Sequence, residues 1–374
     1  MALPLLSTLR DQAGRLAHQA AGRLTTPLLP DDFLALLDPL LSARWPAGRV
    51  QALQQETPEA TTLVIRPGRG WSGHRPGQYV PVGAEIDGVL TWRTYSISSA
   101  PGRRPGEPFA ITVRALPDSR VSTHLARRVR PGTVLRLGPV QGEFVLPDGE
   151  LPRKVLMLTA GIGVTPAMSM LRALARSGGH DTADVDVDVV MVHSAPDAER
   201  TVFGAELRAL HAGLSWFRLY EHHTRSAGHL TVGRLAALCP DWRERDTWMC
   251  GPEAMLESFQ EHWQREGIGH RLRLERFRPA ALLPPSREGA PGRVRFVRSD
   301  VETDAGPDTP LLDIGEAAGV LLPSGCRMGI CFSCVSPLVS GRVRDLRTGE
   351  VSGEPGELVQ TCVSAAAGAV ALDL

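Results

Sequence analysis

Four of the chain's six cysteines form one pattern: Cys326, Cys331 and Cys334 in the spacing C-x4-C-x2-C, with Cys362 further on. Three thiols on one tight loop and a fourth from a distant segment act together only if the fold brings residue 362 back onto that loop. The pattern therefore dictates a compact C-terminal unit. Six cysteines in 374 residues are too few for a disulfide scaffold, and clustered thiols more often bind metal or do redox chemistry. Zinc sites favour paired C-x2-C units, and one such pair stands here; a zinc knuckle or four unrelated thiols are the alternatives. Gly325 and Gly329 suit a loop whose backbone N–H groups must approach sulfur unobstructed. Cys239, just before Pro240 in an apolar stretch, reads as an inert core thiol.

Upstream, the texture of the chain changes twice. Residues 1 to about 47 read as short helices: Leu5, Leu9, Ala13, Leu16 and Ala20 recur at helical spacing, with Arg10, Arg15 and Arg23 mostly elsewhere. Pro27 and Pro30 break this segment, and Asp31–Asp32 can cap a second apolar helix through Leu41. From Arg49 to about Val145, β-branched runs (Thr61–Ile65, Phe109–Val113, Val134–Leu137) are split by Gly and Pro, which predicts an antiparallel barrel or sandwich. From Lys154 a buried-type strand, Val155–Thr159, leads into a Gly-rich turn and an apolar helix through Leu174. A second strand, Val185–Val192, follows, and this alternation predicts βαβ units and a parallel sheet. The stretch from Pro279 to Gly292 is rich in Pro, Gly and Ala and reads as a linker. The expected domains are residues 1–47, 48–150, 151–280, a linker at 281–292, and 293–374.

Charge and hydropathy exclude some functions. The 41 basic and 41 acidic side chains cancel, so nothing resembles the electrostatic footprint of a nucleic-acid partner. No run reaches the ~18 continuous apolar residues of a membrane span, and Met1 to Arg10 does not read as a secretion signal. A cytoplasmic protein is expected. The adjacent His222 and His223 would point apart on a strand, and the histidines assemble no metal motif.

The run Leu322–Cys334 closely resembles plant-type ferredoxin loops, whose spacing is that of a [2Fe–2S] ligand set. Arg93-Thr94-Tyr95-Ser96 matches the R-x-Y-S signature of the ferredoxin–NADP reductase superfamily. Thr159-Ala160-Gly161-Ile162-Gly163-Val164-Thr165-Pro166 matches that superfamily's G-x-G-x-x-P turn, and Met249-Cys250-Gly251-Pro252 resembles its second nicotinamide contact. The resemblance runs from about Arg49 to Leu374. It implies a flavin β-barrel, an α/β nicotinamide domain and a β-grasp ferredoxin domain of α+β class, in that order.

The resemblance also implies roles. Cys326, Cys331, Cys334 and Cys362 would ligate the cluster. Arg93 would pair with flavin phosphate, Tyr95 would stack on the isoalloxazine, and Ser96 would hydrogen-bond near N5. Thr94 belongs to the same strand, and Val121-Ser122-Thr123 resembles a second phosphate contact at a helix N-terminus. The flavin is expected to be FAD, with FMN, used by related dioxygenase reductases, as the alternative. Gly161, Gly163, Thr165, Pro166, Gly251 and Pro252 would contact the nicotinamide cofactor, with Cys250 beside the hydride-donating carbon. Phe277, after Glu275-Arg276, would either cover the flavin face or simply be core. The second strand ends in His193-Ser194-Ala195 without the acidic residue that binds a ribose 2′-OH. Arg200 and Arg225 are then candidates for a 2′-phosphate, which favours NADPH over NADH.

Hydride arrives as two electrons and the cluster takes one, so the flavin must lie between them. The cluster is the exit, and Arg327, Met328 and Phe332 on its loop are candidate acceptor contacts. The expected partner is an oxygenase-type electron acceptor. The N-terminal extension and residues 66–80 look most like reductases serving membrane fatty-acyl desaturases. A ring-hydroxylating oxygenase or a cytochrome P450 is the alternative acceptor, and a nicotinamide-binding redox sensor the alternative class. The N-terminal helices would either help the protein reach a membrane-bound acceptor, as surface-lying helices do, or pack on the barrel.

Overall fold

The computed structural model describes residues 30–42, 46–86, 88–117, 119–177, 187–277, 292–324, 329, 334–347 and 349–374. The expectations for Leu5–Ala20, for the linker up to residue 291, and for Gly325, Cys326, Arg327, Met328, Cys331 and Phe332 fall outside them. The helix expected through Leu41 is shorter: α1 spans Pro30–Leu37, and a separate 3-10 turn follows at Pro39–Leu41. Pro39 disfavours helical backbone at Asp38 and offers no N–H to the ladder. Asp38 instead adopts extended backbone and caps the turn, its carboxylate accepting the Leu40 N–H at 3.0 Å. Among the described residues no helix is long and apolar enough to cross a membrane.

Strands β1 (Ala47–Thr57), β2 (Ala60–Pro67), β3 (Tyr79–Ile86), β4 (Val89–Ser96), β5 (Phe109–Arg114) and β6 (Val134–Leu137) form one antiparallel sheet, ordered β4-β3-β6-β1-β2-β5. A bridge between Ile97 and Ile111 joins its two edges into a barrel. Alternation along the strands turns Leu63, Ile65, Val80, Val82, Phe109 and Ile111 into one buried core. Helix α2 (Arg120–Arg127) packs Val121 and Leu125 into it.

The second sheet is wholly parallel. It contains β7 (Lys154–Ala160), β8 (Asp188–Ala195), β9 (Phe217–His223), β10 (Asp246–Cys250) and β11 (Leu272–Glu275), in the order β11-β10-β7-β8-β9. The described part of the strand expected at Val185–Val192 begins at Asp188 and runs on to Ala195. Successive residues of β7 serve opposite layers. Val155 and Met157 pack with helices α3 (Val164–Ser177) and α4 (Gly204–Gly213), whereas Leu156 and Leu158 pack with α5 (Val232–Leu238) and α6 (Glu253–Arg265). Because β8 and β10 flank β7, the order reverses between β7 and β10. In such sheets the crevice at the carboxyl ends beside that reversal is where ligands bind.

Helix α3 also bolts this sheet to the barrel. Ser169 Oγ donates to the Ser99 carbonyl at 2.6 Å, and Arg172 donates to the Ser98 carbonyl at 2.7 Å. Trp248 Nε1 donates to the Val145 carbonyl at 3.1 Å, and Ala60 and Phe144 are buried in the same core cluster as α3.

The C-terminal sheet contains β12 (Gly292–Phe296), β13 (Val301–Ala305), β14 (Val335–Asp345), β15 (Val351–Ser352), β16 (Leu358–Gln360) and β17 (Ser364–Leu372). Its order is β13-β12-β17-β14-β15, with β16 on β14, and helix α7 (Leu311–Ala317) buries Leu311 and Ile314 against it. Pairing of Val335 with Gln360 brings residue 362 back beside residue 334.

Candidate active site

The Gly-rich turn leaves β7 as a short 3-10 segment, Gly161–Gly163, and opens α3. Its two glycines answer different demands. Gly161 has φ +55°, and no heavy atom lies within 4 Å of where a Cβ would stand. The backbone there is open to a bulky anion. Gly163 is packed so closely that a Cβ would fall 2.4 Å from the Cys250 carbonyl oxygen. Thr165 is turned inward, its hydroxyl donating to the Ile162 carbonyl at 2.9 Å, and Pro166 lies in the first helical turn. Across the crevice, Gly251 sits against Ala160, and Pro252 opens α6. The two predicted nicotinamide loops therefore abut backbone to backbone at the strand-order reversal.

Cys250 is fully buried, and burial first, then the charge of Glu275, pushes its thiol well above the usual range. It is a neutral SH group at pH 7. Glu275 stands opposite it in register on β11, and burial lifts its carboxyl to about 7. In sequence Glu275 shows only as an acidic residue ending the short alternating strand Leu272–Glu275. Phe277 is 40% exposed, which removes it from the core alternative. On β8, His193 Nδ1 and Thr159 Oγ1 are 2.8 Å apart, and burial lowers the imidazole to about 4, so it is neutral. The buried His193 Nε2 and Ser194 Oγ have no hydrogen-bond partner among the described residues. Polar atoms stranded at the carboxyl ends of a parallel sheet fit a bound nucleotide.

The cofactor-selecting region differs from the sequence expectation in one respect. Asp197 follows β8 closely, and both candidate arginines hold it: Arg200 at 2.7 Å, and Arg225 in a second ion pair. Arg200 and Arg225 are thus brought together, but around a carboxylate.

In the barrel, Arg93 and Tyr95 share one face of β4, and Thr94 and Ser96 the other. Burial raises the Tyr95 phenol, with Arg93 acting in the opposite direction. Ser96 is buried opposite Tyr79. At the second predicted phosphate contact, Val121 is core, and Ser122 Oγ accepts the Leu116 N–H at 3.2 Å. Thr123 instead lines a pocket of about 340 Å³ with Ser119, Arg120, His124 and Arg128. The pocket runs along the flank of α2, from Arg120 at its start to Arg128 at its C-cap, and its two guanidinium groups suit phosphate better than the Val121 and Ser122 side chains do.

In the C-terminal domain, Cys334 and Cys362 are buried with their sulfurs 3.2 Å apart, and the Gly329 N–H donates to Cys362 Sγ at 3.3 Å. Gly329 has φ +71°, and a Cβ would strike Arg347 and Val363. Two facing thiols and a backbone donor aimed at sulfur fit one half of the four-thiolate set that holds an iron–sulfur centre.

A model of the 2Fe–2S iron–sulfur cluster binding domain matches residues 295–367, and one of the oxidoreductase NAD-binding domain matches residues 157–261. The NADPH oxidoreductase of Mycobacterium tuberculosis (strain ATCC 25618 / H37Rv) is 49% identical over 96% of this chain and 92% of its own. This chain belongs to the ferredoxin–NADP reductase-like family with a C-terminal [2Fe–2S] ferredoxin domain. The glycine betaine monooxygenase reductase subunit of Chromohalobacter salexigens is 30% identical to this reductase over 75% of the chain and 81% of its own. The solved phthalate dioxygenase reductase shares the fold: TM-score 0.55, 22% identity, 88% of this chain and 97% of that one. The reductase is thus an oxidoreductase with a flavin barrel, a nicotinamide domain and an iron–sulfur domain.

Proposed function

We propose that this reductase takes hydride from NADPH and passes single electrons, by way of FAD and its own [2Fe–2S] centre, to a separate oxygen-activating protein, a membrane fatty-acyl desaturase. One observation carries the order of events. Helix α3 begins at the Gly161–Gly163 turn, and its Ser169 and Arg172 grip the carbonyls of Ser99 and Ser98, just beyond Ser96. The hydride-donating and hydride-accepting sites are tied by one rigid element. A flavin bound there would supply the conversion of a hydride pair to single electrons, and an iron–sulfur centre held by the four cysteines would supply one-electron transfer.

The chain's own groups do the rest. Gly161 leaves its backbone open to the nicotinamide pyrophosphate, and the start of α3 favours its charge. Cys250 gives the nicotinamide a neutral, desolvated wall, and Glu275, lifted to about 7, can take up or release a proton beside it near neutral pH. Ser96 offers a hydroxyl near flavin N5, Tyr95 a ring to stack on, and Arg93 with the start of α2 binds phosphate. Phe277, exposed two residues beyond β11, would cover the flavin face and yield that place to nicotinamide. Arg200 and Arg225 meet the 2′-phosphate, and Asp197 holds them as a pair. Cys326, Cys331, Cys334 and Cys362 ligate the iron. The relative named NADPH oxidoreductase supports the donor.

Anaerobic rapid mixing tests the hydride step. NADPH should reduce the flavin with a kcat/KM at least tenfold above NADH, about 1.4 kcal/mol; a tenfold preference for NADH would reverse the assignment. Coupling assays with membranes carrying a desaturase, with a ring-hydroxylating oxygenase and with a cytochrome P450 test the acceptor. Turnover of either soluble system without the desaturase would refute the acceptor named here. Removing residues 1–48 separates the two roles of the extension. Docking predicts normal cytochrome c reduction with lost membrane coupling, and packing predicts that all activities fall together.

A further inference from the structure

Arg347 lies in the turn after β14, outside every sequence motif, yet it converges on the cysteine site. Its NH1 donates to the Gly329 carbonyl at 3.1 Å, and its NH2 donates to Gln360 Oε1 at 3.2 Å. Gln360 Nε2 donates to the same Gly329 oxygen at 2.9 Å. On its other side the guanidinium grips Asp345, through Nε at 3.1 Å and NH2 at 2.5 Å. The N–H of Gly329 donates to Cys362 Sγ, so one residue links the guanidinium to the sulfur. The guanidinium lies close over the glycine: a Cβ on Gly329, itself at φ +71°, would fall 2.4 Å from Arg347 NH1 and push it aside. Asp345 first, then the sulfurs of Cys362 and Cys334, favour the cationic form of Arg347.

This geometry has an electrical consequence. An iron–sulfur centre that accepts an electron gains one negative charge, and hydrogen bonds and charges near its sulfurs set how readily it does so. Here the cation faces the sulfurs through Gly329 and the carboxylate stands behind it. We propose that Arg347 is a positioning residue that raises the reduction potential of the cluster, and that Asp345 moderates that effect. The proposal rests on Cys334 and Cys362 being ligands, which iron and sulfide analysis tests separately.

The experiment is a potentiometric titration of the full-length holoprotein, followed by the electron paramagnetic resonance signal of the reduced cluster, for wild type, R347Q, R347K and D345N. R347Q should lower the reduced-to-oxidised ratio about tenfold at the wild-type midpoint, a shift of about 59 mV for one electron. D345N should move the midpoint the opposite way, because it unmasks the guanidinium. R347K keeps the charge but loses the planar fork, and should fall between wild type and R347Q. If R347Q fails to assemble, D345N and R347K still decide. Midpoints equal to wild type in variants with full iron and sulfide, or shifts of the same sign in R347Q and D345N, would overturn the inference. Wild-type protein lacking iron and sulfide would instead overturn the ligand assignment.

Discussion

At the amino end of the parallel sheet, Arg245 is fully buried and every N–H of its guanidinium is used. Nε and NH2 donate to Asp241, both at 2.9 Å; NH2 also donates to Asp188 at 2.6 Å, and NH1 to the carbonyls of Val155 and Asp188 at 3.2 and 3.0 Å. Lys154 and Arg218 brace the same two carboxylates from outside. At the carboxyl end of the same strands the accounting is left open: His193 Nε2 and Ser194 Oγ lack partners among the described residues, and Cys250 and Glu275 face each other desolvated. A polar network closed on itself stabilises the fold, whereas one left open is completed by what binds there.

The largest test breaks the closed end. Replacing Arg245 by Met should cost about 3 kcal/mol of unfolding free energy at pH 7, because two carboxylates lose their shared cation. The Arg245 hydrogen bond is the main cause that holds Asp241 low. For Asp188 burial works upward, and Arg245 with Arg218 overrides it. Depressed carboxylates contribute stability above their ordinary range and lose it as pH falls through the depressed values. The R245M deficit, followed by chemical denaturation, should therefore shrink below about pH 4. A deficit independent of pH would mean that packing, not charge, holds this end.

The open end should respond differently. Gly163→Ala forces a methyl group against the Cys250 carbonyl and should cost about 2 kcal/mol, read as a tenfold or greater loss of kcat/KM for NADPH. Unchanged kinetics would show that the two loops can part freely. Glu275→Gln sharpens the contrast, because its sign is opposite to that of Asp188. A raised carboxyl leaves the fold most stable below about pH 4.5, and stability declines as pH rises through about 7. E275Q should thus melt a few degrees above wild type at pH 8, about 1 kcal/mol after solvent screening, and equal it at pH 4. The smallest effect belongs to Ser194→Ala: unchanged melting, and a Kd for nicotinamide cofactor weakened about threefold, close to 0.6 kcal/mol. Equal binding would mean that this hydroxyl does not face the ligand.

Local pattern carried much of this architecture. β-branched runs between glycines and prolines marked strands in the barrel, and G-x-G before an apolar helix marked the phosphate turn. What escaped is set by distance along the chain. The demand on Gly163 comes from the carbonyl of Cys250, and nothing near Gly163 in sequence announces it. Glu275 looks like an ordinary strand end until burial lifts its proton affinity. Asp197 lies two residues beyond the end of β8, and its neutralisation by Arg200 and Arg225 depends on a chain reversal that brings residue 225 back to it. The inward turn of Val121 and Ser122 depends on how α2 seats on the barrel, which a motif match does not contain. The end of α1 is legible in the sequence after all: Pro39 stops the helix although the apolar run continues to Leu41.

The seam between barrel and parallel sheet is uneven in what it asks of each side. At its buried and half-buried bonds the donors are side chains of the nicotinamide half, Ser169, Arg172 and Trp248, and the acceptors are main-chain oxygens of Ser99, Ser98 and Val145; among the described residues, only at the exposed rim does a barrel side chain, Arg103, donate the other way, to the Arg176 carbonyl. Every amino acid carries that oxygen. As far as these bonds are concerned, the barrel's side of the seam can drift in sequence over generations without loosening the joint, while the other side is bound to its three letters.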